Sequence, residues 1–384
     1  MNRVLYDLSV CQPYKETKFH GGGIYGIIVF KKLAQFSNAK LAVYIFASRY
    51  IDPSVLKLIT EKRIEVFDGD KYTIKKAFEL SNADVVYSPL YSIHHNNLIQ
   101  EGVKFVVTIH GLRSIEMMTD TDESAYATSF KMWIKSKLKS SVFNDIIYRR
   151  NYNRYKIPLE SKNVSVITVS NHSKYSIKCY YPNVDVNRIN VFYSPSTSIP
   201  EYDKYNVKSK EKYYLIISAN RWLKNAGRAI KAFDMLFDNY PNLCENVKVL
   251  GLKKNTKIYK LITHKDKFEL LGYQTQESLE MLYAGAYAFI YPTLNEGFGY
   301  PPLESMKYGV PVISSPFSSI PEICSNAVLY ANPYSKEEIA NRILQLEQKD
   351  IYQFYVNASF ERYKHIYQRQ ICDLDKICNL LMTI

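Results

Sequence analysis

Residues 291–315 read YPTLNEGFGYPPLESMKYGVPVISS, and this stretch decides the fold. It closes an apolar run, AYAFIYPT, and turns through Gly297 and Gly299. Pro301 and Pro302 then suit the first turn of a helix, where the missing N–H costs nothing. Gly309 and Pro311 end that helix before a second apolar run, VPVISS. The order is strand, turn, helix, strand. Two carboxylates flank the turn. Glu296 directly follows the first strand, and Glu304 falls about one turn inside the helix. A carboxylate accepts hydrogen bonds in pairs from vicinal hydroxyls, so the two could grip two sugars of one ligand. A glutamate that only favours the helix dipole accounts for Glu304 but not for Glu296 or the glycines.

The same alternation runs through the whole chain. Seven short β-branched runs, VLYDLSV, LAVYIFAS, RIEVF, DVVYSP, VKFVVTIH, VSVITVS and RINVFYS, alternate with longer helical stretches in the first half. Six more, YYLIIS, VKVLG, FELLG, AYAFIYP, VPVISS and AVLY, do so in the second. Many are apolar throughout, as expected of strands covered on both faces by helices. The fold class is therefore α/β with doubly wound parallel sheets. At 384 residues the chain is too long for one comfortable core and suits two domains. A seam rich in Ser, Pro and charge, SPSTSIPEYDKYNVKSKEK, separates the arrays. We expect an N-terminal Rossmann-like domain over 1–195, a linker over 196–212 and a second Rossmann-like domain over 213–367, the two facing a central cleft. Ligands of such sheets bind beyond the carboxyl ends of the strands.

Composition narrows the classes. Hydrophobic residues make up 47% of the chain, so a packed protein is expected. No run reaches the roughly 20 apolar residues that span a bilayer. The start, MNRVLYDLSVCQ, reads as a short strand and not a signal peptide, which implies a cytoplasmic location. Six scattered cysteines form no C-x-x-C pair, against a zinc site or a disulfide framework. The net charge of +13 admits nucleic acid, an anionic membrane or a phosphate-bearing substrate. The basic residues are dispersed and match no nucleic-acid motif, so no nucleic-acid partner is expected.

Polar residues cluster just after the strands: His110 and Gly111, Ser170 and Asn171, then Arg221, Lys224 and Asn225. Gly21, Gly23 and Gly26 satisfy G-x-G-x-x-G, but no strand ends directly before them and no acid closes the next strand. A dinucleotide site is thus disfavoured. A loop whose backbone approaches a phosphate or sugar before a helix N-terminus fits better, and a plain turn stays open. Arg221 and Lys224 at a helix start could hold a pyrophosphate, or form a solvated basic turn. Of three Asp-x-Asp pairs, at 68–70, 120–122 and 373–375, only the first follows a strand run, RIEVF, and all are discounted as metal motifs.

The string EGFGYPPLE resembles the E-x7-E signature of family 4 retaining glycosyltransferases, which have the GT-B fold. The similarity extends through MKYGVPVISSPFSSIPEI, AVLYANP, ANRWLKN, TIHG and VSNHS. The resemblance implies that Glu296 contacts the transferred sugar, Glu304 the nucleotide ribose, and Arg221 and Lys224 the donor diphosphate. His110 would sit near the anomeric centre. Gly297, Phe298, Gly299, Asn225, Gly22 and Gly23 would line the donor, with Ser170 and Asn171 on the acceptor side. It implies no metal and no cofactor, front-face transfer with retention, and a last helix over 368–384 that returns to the N-terminal domain. The Arg–Lys spacing is shorter than in many relatives and resembles mannosyltransferases, so GDP-mannose is the expected donor and a surface polysaccharide such as O-antigen the expected pathway. A sugar-nucleotide epimerase or hydrolase of the same fold, or a non-catalytic relative, would share these donor residues. The segment 129–157 is basic and aromatic. It could rest on an anionic membrane that displays a lipid-linked acceptor, or pack as a helix with a solvated basic face.

Overall fold

A computed structural model describes residues 1–13, 21–141, 143–196, 212–244 and 246–384. The expected linker lies almost wholly outside them. Among the described residues thirteen strands form, each within or overlapping a run singled out above. β1 (Arg3–Asp7), β2 (Lys40–Ile45), β3 (Glu65–Asp68), β4 (Val85–Ser88), β5 (Phe105–Thr108), β6 (Val164–Thr168) and β7 (Ile189–Val191) build one sheet. β8 (Tyr213–Ile216), β9 (Asn246–Leu250), β10 (Phe268–Leu271), β11 (Ala288–Tyr291), β12 (Val312–Ser314) and β13 (Leu329–Tyr330) build the other. The orders are β3-β2-β1-β4-β5-β6-β7 and β10-β9-β8-β11-β12-β13. Every pairing is parallel. Each sheet therefore starts in the middle, runs to one edge and returns to fill the other. The reversal falls between β1 and β4 in the first sheet and between β8 and β11 in the second. Those are the switch points beside which such sheets bind ligands. VVYS, FVVT, YYLI and AFIY are buried at every position, which explains why they are apolar without alternating.

The chain divides into two compact units, and one segment departs from the expected boundaries. The first comprises Met1–Leu112, Arg150–Ile199 and Tyr367–Ile384; the second comprises Arg113–Arg149 and Pro200–Ile366. Residues 113–149 were expected within 1–195, yet they pack on the second sheet's helices. The Tyr126 ring joins the second hydrophobic core, and its hydroxyl accepts from the Gly227 amide at 2.8 Å. Arg228 pairs with Asp120 at 3.1 Å and Lys231 with Asp122 at 2.8 Å. This explains the Asp-x-Asp at 120–122: it is an ionic clamp. Asp68 and Asp70 likewise brace a turn, accepting from the Ala47 and Ser48 amides. Asp373 accepts from the Tyr193 amide at 2.9 Å.

One helix runs from Lys349 to Thr383. From Tyr367 onward it belongs to the first unit, where Ile377, Cys378 and Leu381 are fully buried.

Candidate active site

In the second unit the loops after β8 and β11, which flank the switch point, are locked together. The Leu294 amide donates to the Leu223 carbonyl at 2.8 Å, and the Thr293 hydroxyl donates to the same oxygen at 3.1 Å. Asn225 sits at a positive φ of 58°, between the short turn Trp222–Lys224 and the helix Ala226–Phe237. Its amide donates to the carbonyls of Pro292 at 2.9 Å and Pro333 at 2.7 Å, while its Oδ1 accepts from Arg228. Expected to line the donor, Asn225 instead spends its side chain bracing this loop.

The brace delivers Lys224 to Glu296. The two form an ion pair and are only 5% and 9% exposed. Tyr291 donates to the same carboxylate oxygen, Oε1, at 2.5 Å. The backbone of Glu296 is fixed as well: its N–H donates to the Ser318 hydroxyl at 2.8 Å, and its carbonyl accepts from Ser319 at 3.0 Å. Among the described residues Oε2 accepts no hydrogen bond, and Lys224 has spent one of its three N–H groups. A carboxylate edge and an ammonium therefore stand ready for a ligand carrying hydroxyls and an anion.

The electrostatics have the same sense. Burial pushes the Glu296 carboxyl up, but Lys224, the Tyr291 hydroxyl and Arg113 outweigh it and hold the group below its ordinary value of 4.5. Lys224 is pulled down in spite of its partner, first by burial and then by the charges of Arg113 and Arg221. Two cations, Lys224 and Arg113, thus act on Glu296, and Arg221 adds its charge at Lys224, a setting that suits an anion. Arg221 is exposed, unlike Lys224. Arg113 was missed in the sequence. It lies three residues past His110, inside the strand-end zone that had pointed to the other groups.

Glu304 differs from Glu296. It lies half-buried in the helix Tyr300–Met306, and Tyr283 donates to its Oε2 at 3.1 Å. Burial and the neighbouring Glu280 raise its pKa, against the pull of Tyr283 and Lys307. Burial raises the pKa of the Tyr283 hydroxyl, and the charges of Glu304 and Glu296 raise it further. Gly299 opens the helix at a φ of 120°, a region only glycine enters freely. Phe298 is buried against Tyr300, and its carbonyl accepts from Ser319 at 2.7 Å.

The remaining expected residues lie in the first unit. His110 donates from Nε2 to the Pro89 carbonyl at 2.9 Å, which assigns its tautomer, and meets the Tyr25 ring edge-on at 4.7 Å. Gly22 and Gly23 belong to the first turn of the helix Gly21–Leu33, not to a loop before it. A Cβ at Gly22 would strike Leu90, so close packing also accounts for that glycine. Ser170, expected on the acceptor side, is fully buried and caps the helix Asn171–Tyr180 by accepting from the Ser173 amide at 3.1 Å. Asn171, in that first turn, is exposed.

Residues 199–363 match the family model described as "Glycosyl transferases group 1". The O-antigen chain mannosyltransferase RfbU of Salmonella typhimurium is 31% identical over 207 residues, covering 54% of this chain and 58% of that relative. O-antigen chain mannosyltransferase B of Escherichia coli is 34% identical over 164 residues, 41% and 42% of the two chains. The chain spans about half the length of the curated relatives it matches. Among solved structures, Anabaena Alr3699/HepE in complex with UDP-glucose superposes with a TM-score of 0.65 at 14% identity, over the full length of both chains. WaaG, a glycosyltransferase involved in lipopolysaccharide biosynthesis, gives 0.65 at 14%, over 99% and 100%. At these identities the likeness establishes the fold, GT-B.

Proposed function

Since the chain carries a glycosyl transferases group 1 domain over 199–363 within a GT-B fold, we propose that it moves a sugar from a nucleotide-sugar donor to a glycan or lipid-linked acceptor in surface-polysaccharide assembly. The observation that carries this reading is the buried Lys224–Glu296 pair at the switch point, with two arginine charges acting on it. Lys224, Arg221 and Arg113 neutralise the donor diphosphate and the charge that grows on it as the glycosidic bond breaks. Glu296 takes the hydroxyls of the transferred sugar through its open oxygen. Glu304 takes those of the ribose. The anomeric configuration is retained by front-face attack, with the departing phosphate receiving the acceptor's proton. No step calls on a metal or a cofactor, because the cations supply the charge that Mg²⁺ would. The names of the O-antigen mannosyltransferase relatives favour mannose as the transferred sugar and O-antigen as the product class, and GDP-mannose is the donor we propose.

The test is a calorimetric panel of GDP, UDP, ADP, TDP and CMP without added metal. Selective binding of one nucleoside diphosphate is expected. A folded chain that binds none of them contradicts the reading.

We further propose that the helix Phe130–Ser141 rests on an anionic membrane face on the cytoplasmic side. It has no buried residue. Phe130 is 73% and Trp133 41% exposed, their rings stacked at 5.8 Å, with Ile134 and Leu138 exposed on the same face. Lys131, Lys135 and Lys137 flank them, while Lys139 is paired with Glu123 at 2.8 Å, and the helix holds no acid. No helix of the described residues is long and apolar enough to cross a membrane. The chain should co-sediment with phosphatidylglycerol vesicles and not with phosphatidylcholine ones, and Phe130→Ser with Trp133→Ser should abolish this. Equal partition onto both lipids, or an unaffected double variant, would refute the contact.

A further inference from the structure

The first unit contains a second concave site, separate from every residue assigned above. A cavity of about 1040 Å³ opens at the carboxyl ends of β1–β4, beside that sheet's switch point. This is at the upper end of the range of small-molecule sites, roughly 300–1,000 Å³. Its floor is polar and rigid. The Ser92 amide donates to Nδ1 of His95 at 3.1 Å, which turns the Nε2–H of that ring onto Asp7 at 2.7 Å. Asp7 also accepts from the amide and hydroxyl of Ser9, and both members of the pair are 1% exposed.

The walls are aromatic and basic. Tyr44, Phe46, Tyr72 and Tyr91 line the cavity. The Arg49 guanidinium lies 3.9 Å over the Phe46 ring, so it is held against the wall before any ligand arrives. Arg49, Lys71, Lys75 and Arg154 make four cations against two carboxylates, Asp7 and Asp70. Both carboxylates are engaged, Asp7 as above and Asp70 by Ser48. Lys75 is tied to Glu101 at 2.8 Å, so Lys71 and Arg154 carry the positive rim. Flat apolar rings suit the faces of a sugar, and a surplus of cations suits phosphate.

The cavity also adjoins the residue that holds His110. Leu90 lines it, next in sequence to Pro89, whose carbonyl fixes the imidazole, and Leu90 packs against Gly22.

We propose that this cavity binds a phosphate-bearing saccharide, with the sugar on the aromatic wall and the phosphate on Lys71 and Arg154. Its role as the acceptor site rests on the transferase reading; its preference for an anionic sugar does not. Calorimetry on the full chain, with GDP present to occupy the second unit's cations, would compare mannose 6-phosphate, mannose and inorganic phosphate. Mannose 6-phosphate should bind at least ten times more tightly than either of the others. The double variant Lys71→Gln with Arg154→Gln, both on exposed side chains, should lose at least tenfold for mannose 6-phosphate and nothing for GDP. No binding of mannose 6-phosphate, equal binding of mannose or inorganic phosphate, or an unaffected double variant overturns the proposal. A separate GDP titration keeps the two readings apart. GDP binding without sugar phosphate binding removes the cavity site alone, and the reverse removes the donor site alone.

Discussion

Glu296→Gln should lower sugar transfer by about 100- to 1,000-fold, the scale seen when one preorganised charge-stabilising group is removed from an active site. The same change should leave nucleoside diphosphate binding intact or tighter. Glutamine keeps the size of the side chain and can still accept from Tyr291, but it no longer neutralises Lys224. The ammonium is then freer for phosphate. Alanine would be the poorer probe. Glu296 is buried with its ammonium partner. Removing one member of a buried pair typically costs about 3–5 kcal/mol of stability. The acid limb of stability carries the same signature. The folded pKa of Glu296 is depressed, so its contribution is present above its ordinary 4.5 and fades as pH falls through the lower folded value. In Glu296→Gln that portion of the pH dependence should vanish. Full transfer activity in this variant would remove Glu296 from the reaction.

Lys224→Ala should act in the opposite sense on binding. It withdraws a buried ammonium whose two remaining N–H groups face no protein acceptor among the described residues. Removing one half of a buried pair also costs about 3–5 kcal/mol of stability, so binding is read well below the unfolding transition. Charge-assisted hydrogen bonds contribute about 1.5–3 kcal/mol each. A loss of about 2–4 kcal/mol, roughly 30- to 1,000-fold in Kd, is expected by titration with the preferred nucleoside diphosphate. Arg221→Ala should cost about tenfold or less, because that side chain is exposed and screened. An unchanged affinity in Lys224→Ala, or equal losses in the two variants, would take Lys224 out of the diphosphate site. The opposed effects of Glu296→Gln and Lys224→Ala separate a catalytic contact from a binding one. A general loss of folding would move both variants the same way.

The legible and illegible parts of the molecule divide on physical lines. Runs such as FVVT and YYLI are apolar because both faces are covered, so composition alone locates them and predicts a parallel sheet. The rule that ligands lie past strand ends then led to Glu296, Lys224 and His110 without any contact map. What escaped depends on long-range partners. Nothing in residues 113–149 announces that Asp120 and Asp122 will meet Arg228 and Lys231, more than 100 positions on. The segment therefore changed units and took Arg113 with it. Local capping chemistry was readable and went unread: Ser170 and Ser173 at the head of SNHS are the pattern of a helix start, which is the work Ser170 does. Gly22 and Gly23 looked like a loop because glycine disfavours helix interiors, yet both lie in the first turn of the helix Gly21–Leu33.

Metal-free transfer at the Lys224–Glu296 pair is read first in turnover itself. The chain would be incubated with GDP-mannose and the other common nucleotide sugars, an excess of chelator and lipid-linked glycan from a surface-polysaccharide preparation. Released nucleoside diphosphate and the anomeric configuration of the product would be read by NMR. We expect one donor to be consumed only when acceptor is present, with its configuration retained and its rate unaffected by chelator. Intact donors throughout, release without acceptor, an inverted product or a strict need for metal would contradict the account.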